Sequence, residues 1–209
     1  MKKSRSSQQW LREHEEDEFV KRARAEGYRS RASFKLLEID EKFGLLKPSA
    51  VVVDLGAAPG GWSQVAARKV SGKGAIIGID LLEMEPLTGV TFIQGDFTED
   101  EPYQQLHDEL AGRPVDLVIS DMAPNLSGMK DIDQPRSAYL VELAIHFADE
   151  VLAKGGSLVC KCFEGEGISD IRKAYQSRFR KVANFKPKAS RNRSREIYLV
   201  GLQYKGNPD

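Results

Sequence analysis

From Val51 onward the chain alternates short, continuous apolar runs with stretches of helical length, and that alternation leaves few folds open. The runs are VVVDL (51–55), AIIGID (75–80), VTFIQGD (90–96), PVDLVISD (114–121) and GGSLVCKCF (155–163), with two more at about 179–185 and 196–204. Helices are expected through about Lys69, then at about 100–111, 134–153 and 168–177. Strands that are apolar at nearly every position, separated by helices, belong in a parallel sheet covered on both faces. The closing pair, split by a basic loop, reads as a hairpin at one sheet edge. The expected fold is α/β: a doubly wound, seven-stranded, mostly parallel sheet with an antiparallel edge strand and helices on both faces.

Ahead of this unit, Ala32, Leu36, Ile39 and Phe43 recur at helical spacing, and Gly44 and Pro48 end the helix they predict over 31–43. Residues 8–25 are polar and helix-prone, without a clear apolar stripe. The division expected is a basic N-terminal arm over 1–30 and one domain over 31–209, which suits a chain of 209 residues.

No run reaches bilayer-spanning length, and no apolar stretch follows the basic start MKKSRSSQQW, so a cytoplasmic protein away from membranes is expected. The two cysteines, Cys160 and Cys162, share a strand face but lie too far apart along it to bridge easily. That excludes a disulfide scaffold and a four-cysteine zinc site, and no metal is expected.

The charge is zero overall, with 31 Lys+Arg against 31 Asp+Glu, but it is segregated. Residues 1–36 carry a net +4, residues 170–196 a net +8, and the remainder −12. Such asymmetry points to a polyanion partner, and the loop Lys186, Lys188, Arg191, Arg193, Arg195 is its densest part, with Arg29 and Arg31 as candidates on the arm.

In a doubly wound sheet the ligand lies beyond the carboxyl ends of the strands. Here the first ends in Asp54-Leu55-Gly56-Ala57-Ala58-Pro59-Gly60-Gly61-Trp62, and the next three end in or near Asp80, Asp96 and Asp121. Gly56, Gly60 and Gly61 permit tight turning and close backbone approach. The turn is not a dinucleotide fingerprint, and Pro59 lacks the amide that a phosphate cradle needs. Asp80 is placed to accept from ribose hydroxyls and Asp96 from an adenine amino group. An uncharged turn with acids nearby suits a cationic, phosphate-free nucleoside, which suggests S-adenosylmethionine.

Lys161 interrupts an otherwise buried strand; an ammonium there must be paired, neutralised or part of a site. Lys35 borders the apolar stripe of the 31–43 helix, Glu196 opens the last strand on the parity of Tyr198, Val200 and Leu202, and Asp121 ends the fourth strand.

These residues lie in the runs Y-R-S-R-A-S-F-K-L (28–36), V-D-L-G-A-A-P-G-G-W-S-Q (53–64), S-D-M-A-P-N (120–125) and K-C-F-E-G (161–165). Together they resemble the FtsJ/RrmJ family of S-adenosylmethionine-dependent RNA ribose 2′-O-methyltransferases, over about Ser30 to Tyr204. The resemblance implies a Rossmann-like class I methyltransferase fold. It implies a catalytic tetrad at Lys35, Asp121, Lys161 and Glu196, and cofactor positions at Gly60, Trp62, Asp80, Asp96 and Asp121 beside the turn glycine Gly56. The chain looks like the compact bacterial member of the family. That likeness implies a monomer that methylates a uridine 2′-hydroxyl in the aminoacyl-site loop of 23S rRNA, within the large ribosomal subunit. Lys161 is then placed either to accept the hydroxyl proton or to steer the oxygen, with Lys35 beside the developing alkoxide.

The competing classes are weaker. An NAD-dependent oxidoreductase wants the fingerprint that Pro59 breaks, and an inactive RNA-binding module would not need all four tetrad residues. Amino-directed methyltransferases carry a Pro-Pro-aromatic signature that Asp121-Met122-Ala123-Pro124 lacks, and neither cysteine has the Pro-Cys context of a cytosine C5 enzyme. A cap or tRNA ribose methyltransferase of the same family is the nearest alternative.

Overall fold

The computed structural model describes residues 16–124, 129–165 and 167–206. The first fifteen residues, which include half of the expected 8–25 helix and half of the arm, and Asn125 of the S-D-M-A-P-N run lie outside the described residues.

The strands are β1 (Val51–Leu55), β2 (Ala75–Asp80), β3 (Thr91–Gln94), β4 (Val115–Ser120), β5 (Leu152–Phe163), β6 (Phe179–Phe185) and β7 (Glu196–Tyr204). They form one sheet in the order β3-β2-β1-β4-β5-β7-β6. The pairs from β3 to β5 are parallel, and β7 runs antiparallel to both β5 and β6. The antiparallel pairing expected at the edge is therefore carried by β7, the penultimate strand. Because β7 is reversed, its first residue, Glu196, arrives opposite Phe163, at the same end where the parallel strands finish.

Strand alternation divides the core. Val51, Val53 and Leu55 face one side with Ile77 and Ile79 of β2, covered by α4 (Asp100–Leu110), α5 (Lys130–Val151) and α6 (Ile168–Arg178). Val52 faces the other side with Ile119, Val159, Tyr198 and Val200, covered by α2 (Ser33–Phe43) and α3 (Gly61–Lys69). Cys160 and Cys162 sit in the first cluster as free, buried thiols, so Lys161 between them is turned to the second. α2 buries Leu36 and Ile39 completely and stops at Gly44, whose left-handed φ of 64° ends the helix as anticipated.

Two elements start earlier than the sequence suggested. α5 begins at Lys130, with Pro135 inside it one turn in, where the missing N–H removes one intrahelical hydrogen bond. β5 begins at Leu152, which pairs with Val115 before the register shifts and Ser157 meets Leu117. The glycines Gly155 and Gly156 permit that bulge. Helix α1 (Glu18–Ala25) buries Val20 and Ala23, and Ala23 packs with Phe34 and Ala189, so residues 16–30 lie against the domain.

Candidate active site

Four titratable groups from four separate elements meet at the end of β5. Lys161 is 9% exposed; its Nζ donates to the Asp121 carbonyl at 2.5 Å and lies 3.1 Å from Asp121 Oδ1. Lys35, from α2, lies 2.7 Å from Glu196 Oε1, and both side chains are nearly buried. The sheet register places Lys161 directly opposite Tyr198 and Phe163 opposite Glu196. Sequence spacing alone could not show that these residues, up to 161 positions apart, converge; the reversed β7 brings it about.

Tyr198 joins the two ion pairs. It is fully buried, its hydroxyl donates to Asp121 Oδ1 at 2.6 Å, and Lys35 Nζ lies 5.7 Å from its ring centre. Burial pushes the Tyr198 phenol well up, and the charges of Asp121 and Glu196 push it further, so it stays a neutral donor. Burial alone would raise Asp121. The charges of Lys161 and Lys35 and the Tyr198 hydroxyl outweigh it and hold this carboxyl below its ordinary range. Tyr198 was legible in the sequence only as a parity mate of Glu196; its place opposite Lys161 follows from the β5–β7 register, which the sequence does not show.

Next to this cluster opens a cavity of about 340 Å³, lined among others by Gly56, Ala58, Asp80, Leu82, Asp96 and Asp121. Asp80 is held from both loops: Oδ2 accepts from the Ala58 amide at 2.9 Å and Oδ1 from the Leu82 amide at 2.8 Å. Each oxygen keeps a second lone pair for a ligand hydroxyl. Asp96 Oδ1 accepts from the Thr98 amide and hydroxyl at 2.8 and 2.7 Å, which aims the carboxylate. Among the described residues the lining holds three acids and no lysine or arginine, a set of acceptors that fits a cationic, phosphate-free nucleoside.

The turn glycines divide between the cavity and the 28–36 segment. Gly56, with φ of 80°, lies under Met122, whose Cγ would be 2.6 Å from an added Cβ. Gly60 and Gly61 do not line the cavity. Added Cβ atoms there would meet Arg29 Nη1 at 2.9 Å and Ser30 Oγ, so their bareness admits the 28–36 segment. The Trp62 side chain is also in the core, where it donates to the Ala32 carbonyl at 2.8 Å and packs 5.5 Å from the Tyr198 ring.

The basic candidates divide as well. Arg31 pairs with Asp17 and donates to the Ala189 carbonyl, and Arg29 is engaged by three backbone carbonyls; these two side chains brace the protein itself. Lys186 closes the basic loop by donating to the Ser194 carbonyl at 2.5 Å, and Arg191 lies 3.8 Å from Asp17. Glu38 of α2 anchors the loop by accepting from the Lys188 and Ala189 amides at 2.6 and 2.9 Å. Lys188, Arg193 and Arg195 are exposed on the anchored loop.

One strand-end acid stands apart. Asp54 is fully buried on β1, accepts from the Ser63 hydroxyl at 2.7 Å, and leaves Oδ1 without a hydrogen-bond partner among the described residues. Burial raises its carboxyl to about 7, the charges of Asp121 and Asp80 raise it too, and the Ser63 hydroxyl opposes them. The folded chain then binds a proton that the unfolded chain releases from about pH 4 upward. Stability is lost as pH rises from about 4 to 7, on the order of 4 kcal/mol in total. Asp54→Asn is expected to remove that slope and raise the melting temperature more at pH 8 than at pH 5. Equal shifts at the two pH values would contradict the burial account.

A larger groove, about 470 Å³, opens at the other end of the sheet, lined by Lys47, Asp116 and Lys154. No tetrad residue borders it, and its Asp116 already accepts from the Val51 amide at 2.8 Å. The four converging titratable groups therefore lie at the carboxyl end, away from this groove.

Known proteins resemble this chain over most of its length. The model of a family described as FtsJ-like methyltransferase matches residues 28–204. A ribosomal RNA large subunit methyltransferase E from Methylobacillus flagellatus is 56% identical over 203 residues, covering 97% of this chain and 98% of the relative. The protein of that name from Pseudomonas aeruginosa is 52% identical over 206 residues, covering 99% of this chain and all of the relative. A crystal structure from Plasmodium falciparum, described as a ribosomal RNA methyltransferase, superposes with a TM-score of 0.77. It is 33% identical and covers 86% of this chain and all of its own.

Proposed function

The chain belongs to the FtsJ-like methyltransferase family, and from that premise we propose that it transfers a methyl group from S-adenosylmethionine to a ribose 2′-hydroxyl of large-subunit ribosomal RNA, a uridine of the 23S aminoacyl-site loop. The observation that carries this reading is the joining of the acid-lined cavity to the buried Lys161–Asp121 pair, since Asp121 borders both.

S-adenosylmethionine would supply a methyl group already activated on a sulfonium. The protein's part is to hold and to orient. Asp80 and Asp96 accept from the nucleoside, and Asp121 contributes negative charge near the methyl-bearing end. Two of the three substituent positions on Lys161 Nζ face Asp121, and the third is left for the ribose hydroxyl. Lys35, fixed by Glu196, sits across Tyr198 where negative charge develops on that oxygen. Holding the oxygen in line with carbon and sulfur supplies much of the rate. Removal of the hydroxyl proton by Lys161 in the transfer step predicts a solvent deuterium isotope effect on single-turnover methyl transfer; steering without proton movement in that step predicts none.

The loop bearing Lys188, Arg193 and Arg195 extends from the tetrad residue Glu196, so RNA phosphates bound there lie beside the site. Replacing these three residues with glutamine is expected to weaken RNA binding at low salt at least about tenfold. It should also flatten the dependence of log affinity on log salt by about 2. An unchanged slope would place the RNA elsewhere. The function itself is tested by transfer of tritiated methyl from S-adenosylmethionine to large-subunit rRNA, followed by mapping of the labelled sugar.

A further inference from the structure

We propose that Arg29 is a positioning residue for the cofactor cavity rather than an RNA contact, a role that rests on the cofactor reading above. Its guanidinium donates to three backbone carbonyls: Glu85 at 2.6 Å, Pro86 at 2.7 Å and Pro59 at 3.3 Å. These carbonyls belong to two different loops, the turn after β1 and the connection between β2 and β3. Both loops border the cavity, through Ala58 on one side and Leu81 and Leu82 on the other.

On the cavity side the same two loops are tied by Asp80, which accepts from the amides of Ala58 and Leu82. Arg29 is the outer tie of the same pair, and a planar fork with five N–H groups is suited to carbonyls that diverge. A single lysine ammonium, a point donor, does not span them equally well. The site is built to receive this side chain. The Arg29 amide donates to Gln64 Oε1 at 2.9 Å, and Gln64 Nε2 donates back to the Gly27 carbonyl at 2.8 Å. Gly60 supplies the space: any Cβ there would lie 2.9 Å from Arg29 Nη1 and 2.9 Å from Met84 Sδ.

If the outer tie is cut, the loops can separate and Asp80 loses the geometry that two amides give it. The effect should fall on cofactor affinity and not on the chemical step.

The test is isothermal titration of S-adenosylmethionine, and separately of an rRNA fragment across a salt series, into wild type, Arg29→Lys and Arg29→Ala. Arg29→Ala should weaken cofactor binding at least about tenfold, with Arg29→Lys between it and wild type. The kcat at saturating cofactor should stay within about twofold, and the RNA salt slope should be unchanged. Unchanged cofactor affinity in Arg29→Ala overturns the proposal, as does an RNA salt slope reduced by about 1. Should the alanine variant be poorly folded, Arg29→Lys, which keeps the charge, decides in its place: weakened cofactor binding supports the tie, and wild-type affinity overturns it. Failure of the wild-type chain to bind S-adenosylmethionine would instead overturn the cofactor reading beneath it.

Discussion

Lys161→Ala is expected to lower kcat by about 10²–10⁴ while cofactor affinity stays within about threefold. The asymmetry follows from position. Lys161 pairs with Asp121 but does not line the cavity assigned to the cofactor, so its amine can matter only to the oxygen that enters from the RNA side. Removing it leaves Asp121 with Tyr198 and Lys35 as partners, so the carboxylate is not stranded and the fold should survive. Lys161→Met keeps the apolar stem opposite Tyr198 and should be as inactive as the alanine variant. A loss common to both would assign the effect to the amine; activity retained in Lys161→Met would assign it to packing. The measurement is single-turnover methyl transfer at saturating cofactor, alongside a cofactor titration.

Asp121→Asn should be the more damaging change, because Asp121 serves both halves of the site. Its carboxylate pairs with Lys161, accepts from Tyr198 and borders the cavity. The amide cannot balance Lys161, which is 9% exposed, and breaking a pair buried to this degree costs about 3 kcal/mol. For a domain of this size that is a fall of about 6–12 °C in melting temperature. Activity should drop at least about a hundredfold, and here cofactor affinity should fall with it. The contrast with Lys161→Ala is the informative part: one variant changes kcat alone, the other kcat, cofactor binding and stability together. If Asp121→Asn melts like the wild type, the pair is not the buried link that the geometry describes.

What the sequence could convey about this site depended on the range of the interaction. The strand ends Asp80, Asp96 and Asp121 were readable because a doubly wound sheet always presents its carboxyl ends to the ligand, and all three line one cavity. Lys161 was readable because a charge between Cys160 and Cys162 violates the pattern of a buried strand. Tyr198 was not, because its importance lies in a cross-strand pairing that only the reversed β7 creates. The packing of Gly60, Gly61 and Trp62 against the 28–36 segment was not legible, because that contact lies some 30 residues away in the chain. Arg29 and Arg31 illustrate the same limit: an arginine on a basic segment has one appearance in sequence whether it meets a phosphate or a carbonyl of its own chain.

Methyl transfer to a ribose oxygen from the cavity at the carboxyl end of the sheet is the claim on which the rest depends. The most direct measurement is mass-spectrometric mapping of methylated riboses in large-subunit rRNA from cells with and without this protein, and with the Lys161→Ala form. One 2′-O-methyluridine in the aminoacyl-site loop is expected to disappear without the protein, return with the wild type, and not return with Lys161→Ala. A methyl group found on a base, or an rRNA methylation map identical in all three, would contradict it.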